Sequence, residues 1–124
     1  AIAVDVHAEA TSEKAAIGHF LDGRVSVVVG THSHIPTADA RILAKGTAFQ
    51  TDMGMCGNYD SVIGMNKDLA LARFLNSDTK PRLEPAEGEA TLCGLFLATD
   101  DITGLAKRVE PVRLGGDLLQ SLPG

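Results

Sequence analysis

At 124 residues with 44% hydrophobic residues, the chain suits one globular domain or part of one, and its formal net charge of −5 denies it a broad electrostatic footprint for nucleic acid or an anionic membrane. No apolar run approaches the roughly 20 residues that span a bilayer, and no signal-peptide pattern is present. The two isolated cysteines, Cys56 and Cys93, lack metal-type CxxC spacing and fit the reduced thiols of a cytoplasmic protein.

Residues 1–6 read as a buried central strand with no preceding element to pair with, which places the start of the chain inside a larger fold, and His7 follows this strand. Residues 11–22 read as a helix with Thr11 or Ser12 as N-cap, Glu13 near the positive end of its dipole, and Ala16, Ile17, Phe20 and Leu21 as an apolar stripe for a sheet. His19 falls between the stripe positions and reads as a helix-surface histidine. The β-branched run around Val25, Val27, Val28 and Val29 is a second buried strand, followed directly by Gly30-Thr31-His32-Ser33-His34. Strand, helix and strand form a βαβ unit whose right-handed crossover brings both strand ends to one edge of a parallel sheet. His7, His32 and His34 should therefore converge, although 25 positions separate the first two.

Beyond the histidine loop, Ile35-Pro36-Thr37 cannot continue a helix, and residues 38–43 and 47–51, joined by a turn at Ala44-Lys45-Gly46, read as a β-hairpin. Residues 54–60 are glycine-rich but lack P-loop spacing, so a structural turn is expected in place of a nucleotide loop, with an anion nest as the alternative. Asp52 and Asp60 read as turn-capping carboxylates. Residues 66–75 read as a second amphipathic helix capped by Asn66, and residues 76–88 as an exposed connection around a short strand at 82–84. Residues 89–98 and 105–114, joined by a turn at 100–104, form a hairpin with one solvated face, and residues 115–124 read as a flexible tail.

Neutral imidazole is the commonest metal ligand, so His32-x-His34 at a strand end suggests a metal site; the alternative is a polar loop with two partly exposed histidines. With His7 added, three histidines and no cysteine ligand suit zinc, manganese or iron. Such an ion lowers the pKa of bound water or polarises a phosphoryl oxygen. A three-histidine set by itself resembles a mononuclear catalytic zinc site. Two-metal phosphoryl chemistry also needs a bridging carboxylate between ions roughly 3.5–4 Å apart, and the chain offers no clear candidate for that bridge.

Four ordered motifs resemble one family. Residues 4–14 (VDVHAEATSEK), 21–25 (LDGRV), 29–34 (VGTHSH) and 51–65, the last containing TDMGMCG and YDSVIGM, are similar to the C-terminal half of the YmdB-type branch of the calcineurin-like metallophosphoesterases. The likeness runs to about residue 113. It implies an α/β metallophosphoesterase sandwich of mixed sheets flanked by helices, with residues 1–114 as the C-terminal half of the domain. It also implies a dinuclear site of two divalent or trivalent transition-metal ions (iron, manganese or zinc). His7 and His32 would bind one ion and His34 the other, and a metal-bridging hydroxide would attack a phosphodiester, with 2′,3′-cyclic nucleotides as the substrate class. In the family the bridging carboxylate, further ligands and the histidine general acid come from the N-terminal half, so no catalytic acid is assigned in this chain.

The resulting expectation is a metal-dependent phosphodiesterase in the cytoplasm, of which this chain alone binds metal weakly and turns over little. Its partners would be the missing N-terminal half or a second chain, a small phosphodiester, and further copies in a homo-oligomer, with no stable nucleic-acid or membrane binding. Two alternatives remain: a non-catalytic assembly or regulatory module with a structural metal or none, and a self-contained mononuclear zinc hydrolase.

Overall fold

A computed structural model describes residues 1–75, 78 and 80–124. The element order is β1 (Ala3–His7), α1 (Thr11–Leu21), β2 (Val27–Thr31), β3 (Arg41–Ile42), β4 (Ala48–Gln50), α2 (Lys67–Leu75), β5 (Leu92–Thr99) and β6 (Ala106–Leu114). The first four strands form one mixed sheet in the order β1-β2-β4-β3, parallel except for the β3–β4 pair, and β5 and β6 form a separate antiparallel hairpin. The fold is thus mixed α/β. Among the described residues no helix is long and apolar enough to cross a membrane.

The valine run becomes β2 because this strand is covered on both faces. Val28 packs toward α1 with Val25, Leu43 and Phe49, joined by Ala15 and Leu21. Val27 and Val29, pointing the other way, pack with Ala48 against Leu95, Leu97 and Val109 of the hairpin. The central sheet is therefore sandwiched between a helix and a hairpin, and Val28, Ala48 and Phe49 are at most 1% exposed.

β1 pairs with β2 and lies at the edge of the sheet, with alternate residues exposed and no strand on its outer side among the described residues. Two expectations for α1 change. The N-cap of α1 is Ala10, in extended conformation and without a side-chain cap, where Thr11 or Ser12 was expected; its carbonyl takes the Lys14 N–H at 3.2 Å. The expected stripe is also rotated, because Ile17 and Phe20 are exposed while Lys14 and Gly18 face inward. Two contacts set that rotation. A Cβ on Gly18 would stand 2.5 Å from the Phe49 ring, so only glycine allows this close approach, and Lys14 reaches a buried carboxylate described below.

The β3–β4 hairpin and the β5–β6 hairpin form where expected, and Asn66 caps α2 through its Oδ1, which accepts the N–H groups of Asp68 and Leu69 at 3.0 and 3.2 Å. The connection expected over 76–88 lies partly outside the described residues, at 76, 77 and 79. No strand forms at 82–84 among the described residues; Pro81 and Pro85 flank that stretch and lack ladder donors, and Pro85 makes only an isolated bridge with Met65. After β6 the chain folds back, Arg113 and Ser121 exchanging both backbone hydrogen bonds at 2.7 and 2.9 Å.

Candidate functional site

In the parallel register of β1 and β2, His7 stands beside Thr31, so the first imidazole lies at the root of the loop that carries the other two. Gly30 is required at that root, because a Cβ there would stand 1.7 Å from the Thr51 carbonyl oxygen. The loop is strained: His32 and His34 have φ of 131° and 66°. Such positions cost about 1–3 kcal/mol each and persist only where the surroundings over-determine them.

Asp52 supplies much of that determination. It is 1% exposed, its Oδ2 accepts the Ser33 N–H at 2.8 Å, and its Oδ1 accepts the Gly54 N–H at 2.9 Å. The Lys14 ammonium, equally buried, lies 3.5 Å from Oδ2. Burial pushes the Asp52 carboxyl up, but the Gly54 and Ser33 hydrogen bonds and the Lys14 charge outweigh it and hold the group below 3.8. Tyr59 grips the other end, its hydroxyl donating to the His34 carbonyl at 3.1 Å and accepting the Met55 N–H at 2.9 Å. Burial and the neighbouring Cys93 raise the Tyr59 pKa well above its usual value, which keeps it a neutral donor.

The ring nitrogens are ordered as well. Thr31 Oγ1 donates to Asp5 Oδ1 at 3.1 Å, so it can only accept from His7 Nδ1, also at 3.1 Å. That sets the proton of the neutral His7 ring on Nδ1, so its Nε2 is the acceptor toward His32 Nδ1. His7 Nε2 lies 3.2 Å from His32 Nδ1, the rings edge to face with centroids 5.0 Å apart. His34 donates Nδ1–H to the Ile63 carbonyl at 2.7 Å, so in the neutral ring Nε2 carries the lone pair. Orientation of one ring nitrogen by a hydroxyl or carbonyl while the other stays free is the arrangement that prepares imidazole for a metal.

All three imidazoles line one cavity of about 440 Å3. Two nitrogens on a tetrahedral ion at about 2.0–2.1 Å stand roughly 3.3 Å apart, so the His7–His32 spacing fits two ligands of one cation, with His34 separately oriented. Among the described residues no group of three or more His, Cys, Asp or Glu side chains is arranged to hold an ion. The present residues fit part of a metal site.

His19 is exposed on α1 and makes no part of this cavity, and Asp60 pairs with Lys67 at 2.7 Å. In the glycine-rich stretch the N–H groups of Gly54, Met55, Gly57 and Asp60 go to partners within the protein, as in a structural turn. Sequence reasoning missed Lys14, Thr31 and Tyr59 and gave Asp52 only a local capping role. A lysine inside a helix face and a carboxylate, Asp5, inside an apolar strand were the available signals.

A model of the family described as YmdB-like protein matches residues 1–112. The chain belongs to the YmdB-like family. This YmdB-like chain is 48% identical over 116 residues to the 2′,3′-cyclic-nucleotide 2′-phosphodiesterase of Bacillus subtilis (strain 168), covering 94% of this chain and 44% of that protein. It is 41% identical to a putative phosphatase/phosphodiesterase of Mycoplasma pneumoniae, covering 92% of this chain and 41% of that one. Its fold matches the crystal structure of a hypothetical protein from Thermus thermophilus with a TM-score of 0.84 at 45% identity, over 93% of this chain and 44% of the other. A novel phosphatase of Mycoplasma pneumoniae matches with a TM-score of 0.82 at 41% identity, over 92% and 41% of the two chains. The chain spans less than half the length of the curated relatives it matches.

Proposed function

We propose that residues 1–114 are the C-terminal half of a calcineurin-like metallophosphoesterase domain, a metal-dependent phosphodiesterase acting on 2′,3′-cyclic nucleotides. The observation that carries this reading is the convergence of three imidazoles on one cavity, with the His7 ring oriented by Thr31 and Asp5 and the His34 ring by the Ile63 carbonyl. The activity for which the Bacillus subtilis relative is named supplies the substrate class. His7 and His32 would hold one transition-metal ion, iron, manganese or zinc, and His34 a second. When bound, such ions polarise a phosphoryl oxygen and make water a nucleophile at neutral pH.

This chain's part in the reaction is to hold and orient. Asp5 and Thr31 keep the His7 proton on Nδ1, and Asp52 and Tyr59 fix the backbone on either side of His34. A bridging carboxylate and a general acid are left for the N-terminal half or another chain to supply. β1 supports such a partner, because its outer edge has no strand beside it among the described residues. The exposed Phe20, Phe74 and Leu75 support further association, including a homo-oligomer. In this reading the chain alone turns over little, and the reduced thiols belong to the cytoplasm.

His32→Ala in the full-length protein is the test. Metal content, read by elemental analysis, and hydrolysis of a 2′,3′-cyclic nucleotide should fall together. Full activity in that variant would overturn the reading, and enzyme-like turnover by the present chain alone would overturn its incompleteness.

A further inference from the structure

Val62 and Met65 exchange both backbone hydrogen bonds, at 2.9 and 3.0 Å, leaving Ile63 and Gly64 as the central residues of a tight turn with φ of 49° and 94°. Positive φ at both central positions is the pattern for which Asn-Gly and Gly-Gly are the usual choices. A β-branched side chain is the poorest fit to that backbone. Burial does not offset the strain, because Ile63 is 51% exposed. The Ile63 carbonyl serves His34, but that contact is made by the main chain and any residue would provide it.

What isoleucine alone contributes is its side chain, and Ile63 lines both the histidine cavity and a second cavity of about 400 Å3 beside α2. The lining of the histidine cavity divides chemically. Imidazoles, Thr31 and Asn58 are polar, whereas Met55, Ile63, Met65, Pro85 and Ala86 form an apolar stretch unsuited to an ion or a phosphate. Two methionine sulfurs in that stretch favour contact with an aromatic ring. We propose that this stretch, Ile63 included, receives the nucleobase of the cyclic nucleotide, which makes Ile63 a specificity-determining residue. The inference rests on the phosphodiesterase reading and adds the part of the substrate that the histidines cannot recognise.

The test uses the full-length protein with Ile63→Asn and Ile63→Gly, both of which suit the turn. Two substrates are compared, a 2′,3′-cyclic nucleotide and glycerol 1,2-cyclic phosphate, which has no base. Both variants should keep or raise the Tm, and the kcat/KM preference for the nucleotide should fall about tenfold, mainly through KM. A lowered Tm, or an unchanged preference, overturns the role of Ile63 while leaving the phosphodiesterase reading standing. Failure of the wild-type protein to hydrolyse either substrate overturns both.

Discussion

The buried carboxylate of Asp52 accepts the backbone N–H of Ser33 at 2.8 Å, and Ser33 is the single residue between the imidazoles of His32 and His34. One side chain thereby ties the loop after β2 to the loop after β4, where its other oxygen holds Gly54. Asp52→Ala would orphan both N–H groups and leave the Lys14 ammonium buried without its partner. Such losses cost about 3–5 kcal/mol. The urea midpoint should fall accordingly, and Lys14→Met combined with Asp52→Ala should cost less than the sum of the single changes.

Acid should weaken the same tie. Burial raises the carboxyls of Asp39 and Asp52, but hydrogen bonds outweigh it: Thr37, Thr51 and Arg41 act on Asp39, and Gly54 and Ser33, with the Lys14 charge, on Asp52. Both therefore bind protons less readily folded than unfolded. Their stabilisation is complete above the unfolded value near 3.8 and is lost as pH falls through the lower folded values. Urea midpoints measured from pH 5 to pH 2 should drop, and Asp52→Asn should flatten the slope. An equally steep slope in that variant would contradict the assignment.

Thr31→Val tests the ordering of His7. The substitution keeps the shape of a partly exposed residue but breaks the path from Asp5 to the His7 Nδ1 proton. Loss of an orienting hydrogen bond of this kind lowers metal affinity by about 10–100-fold. Zinc or manganese titration of the full-length variant should show that loss with a Tm close to wild type. Unchanged affinity would remove Thr31 from the site.

Two glycines should behave in opposite ways. A Cβ at Gly30 meets the Thr51 carbonyl at 1.7 Å, whereas a Cβ at Gly94 in β5 meets nothing within 4 Å. Gly30→Ala should be severely destabilising through forced backbone separation. Gly94→Ala should be neutral or stabilising by up to about 1 kcal/mol, because alanine has less backbone freedom to lose in a strand. Denaturation curves of the two variants distinguish these outcomes directly.

The βαβ unit and the convergence of His7 with His32 and His34 were legible because they depend on local signals: a β-branched run, a helix-length spacer and the fixed hand of the crossover. The facing of α1 was not. Ile17 and Phe20 follow an apolar period, yet Lys14 and Gly18 point inward. The deciding contacts are with Asp52 and Phe49, 38 and 31 positions away. No local pattern encodes a partner at that distance.

By itself, then, the sequence determined which residues could carry the chemistry, since imidazoles at strand ends follow from strand propensity and chain order. Only the tertiary structure decided how they are held. The proton on His7 depends on a hydroxyl from the neighbouring strand, the Ser33 backbone on a carboxylate from the end of β4, and the His34 ring on a carbonyl in a strained turn 29 residues away. These are hydrogen bonds between segments brought together by packing, and their geometry exists only after the sheet has formed.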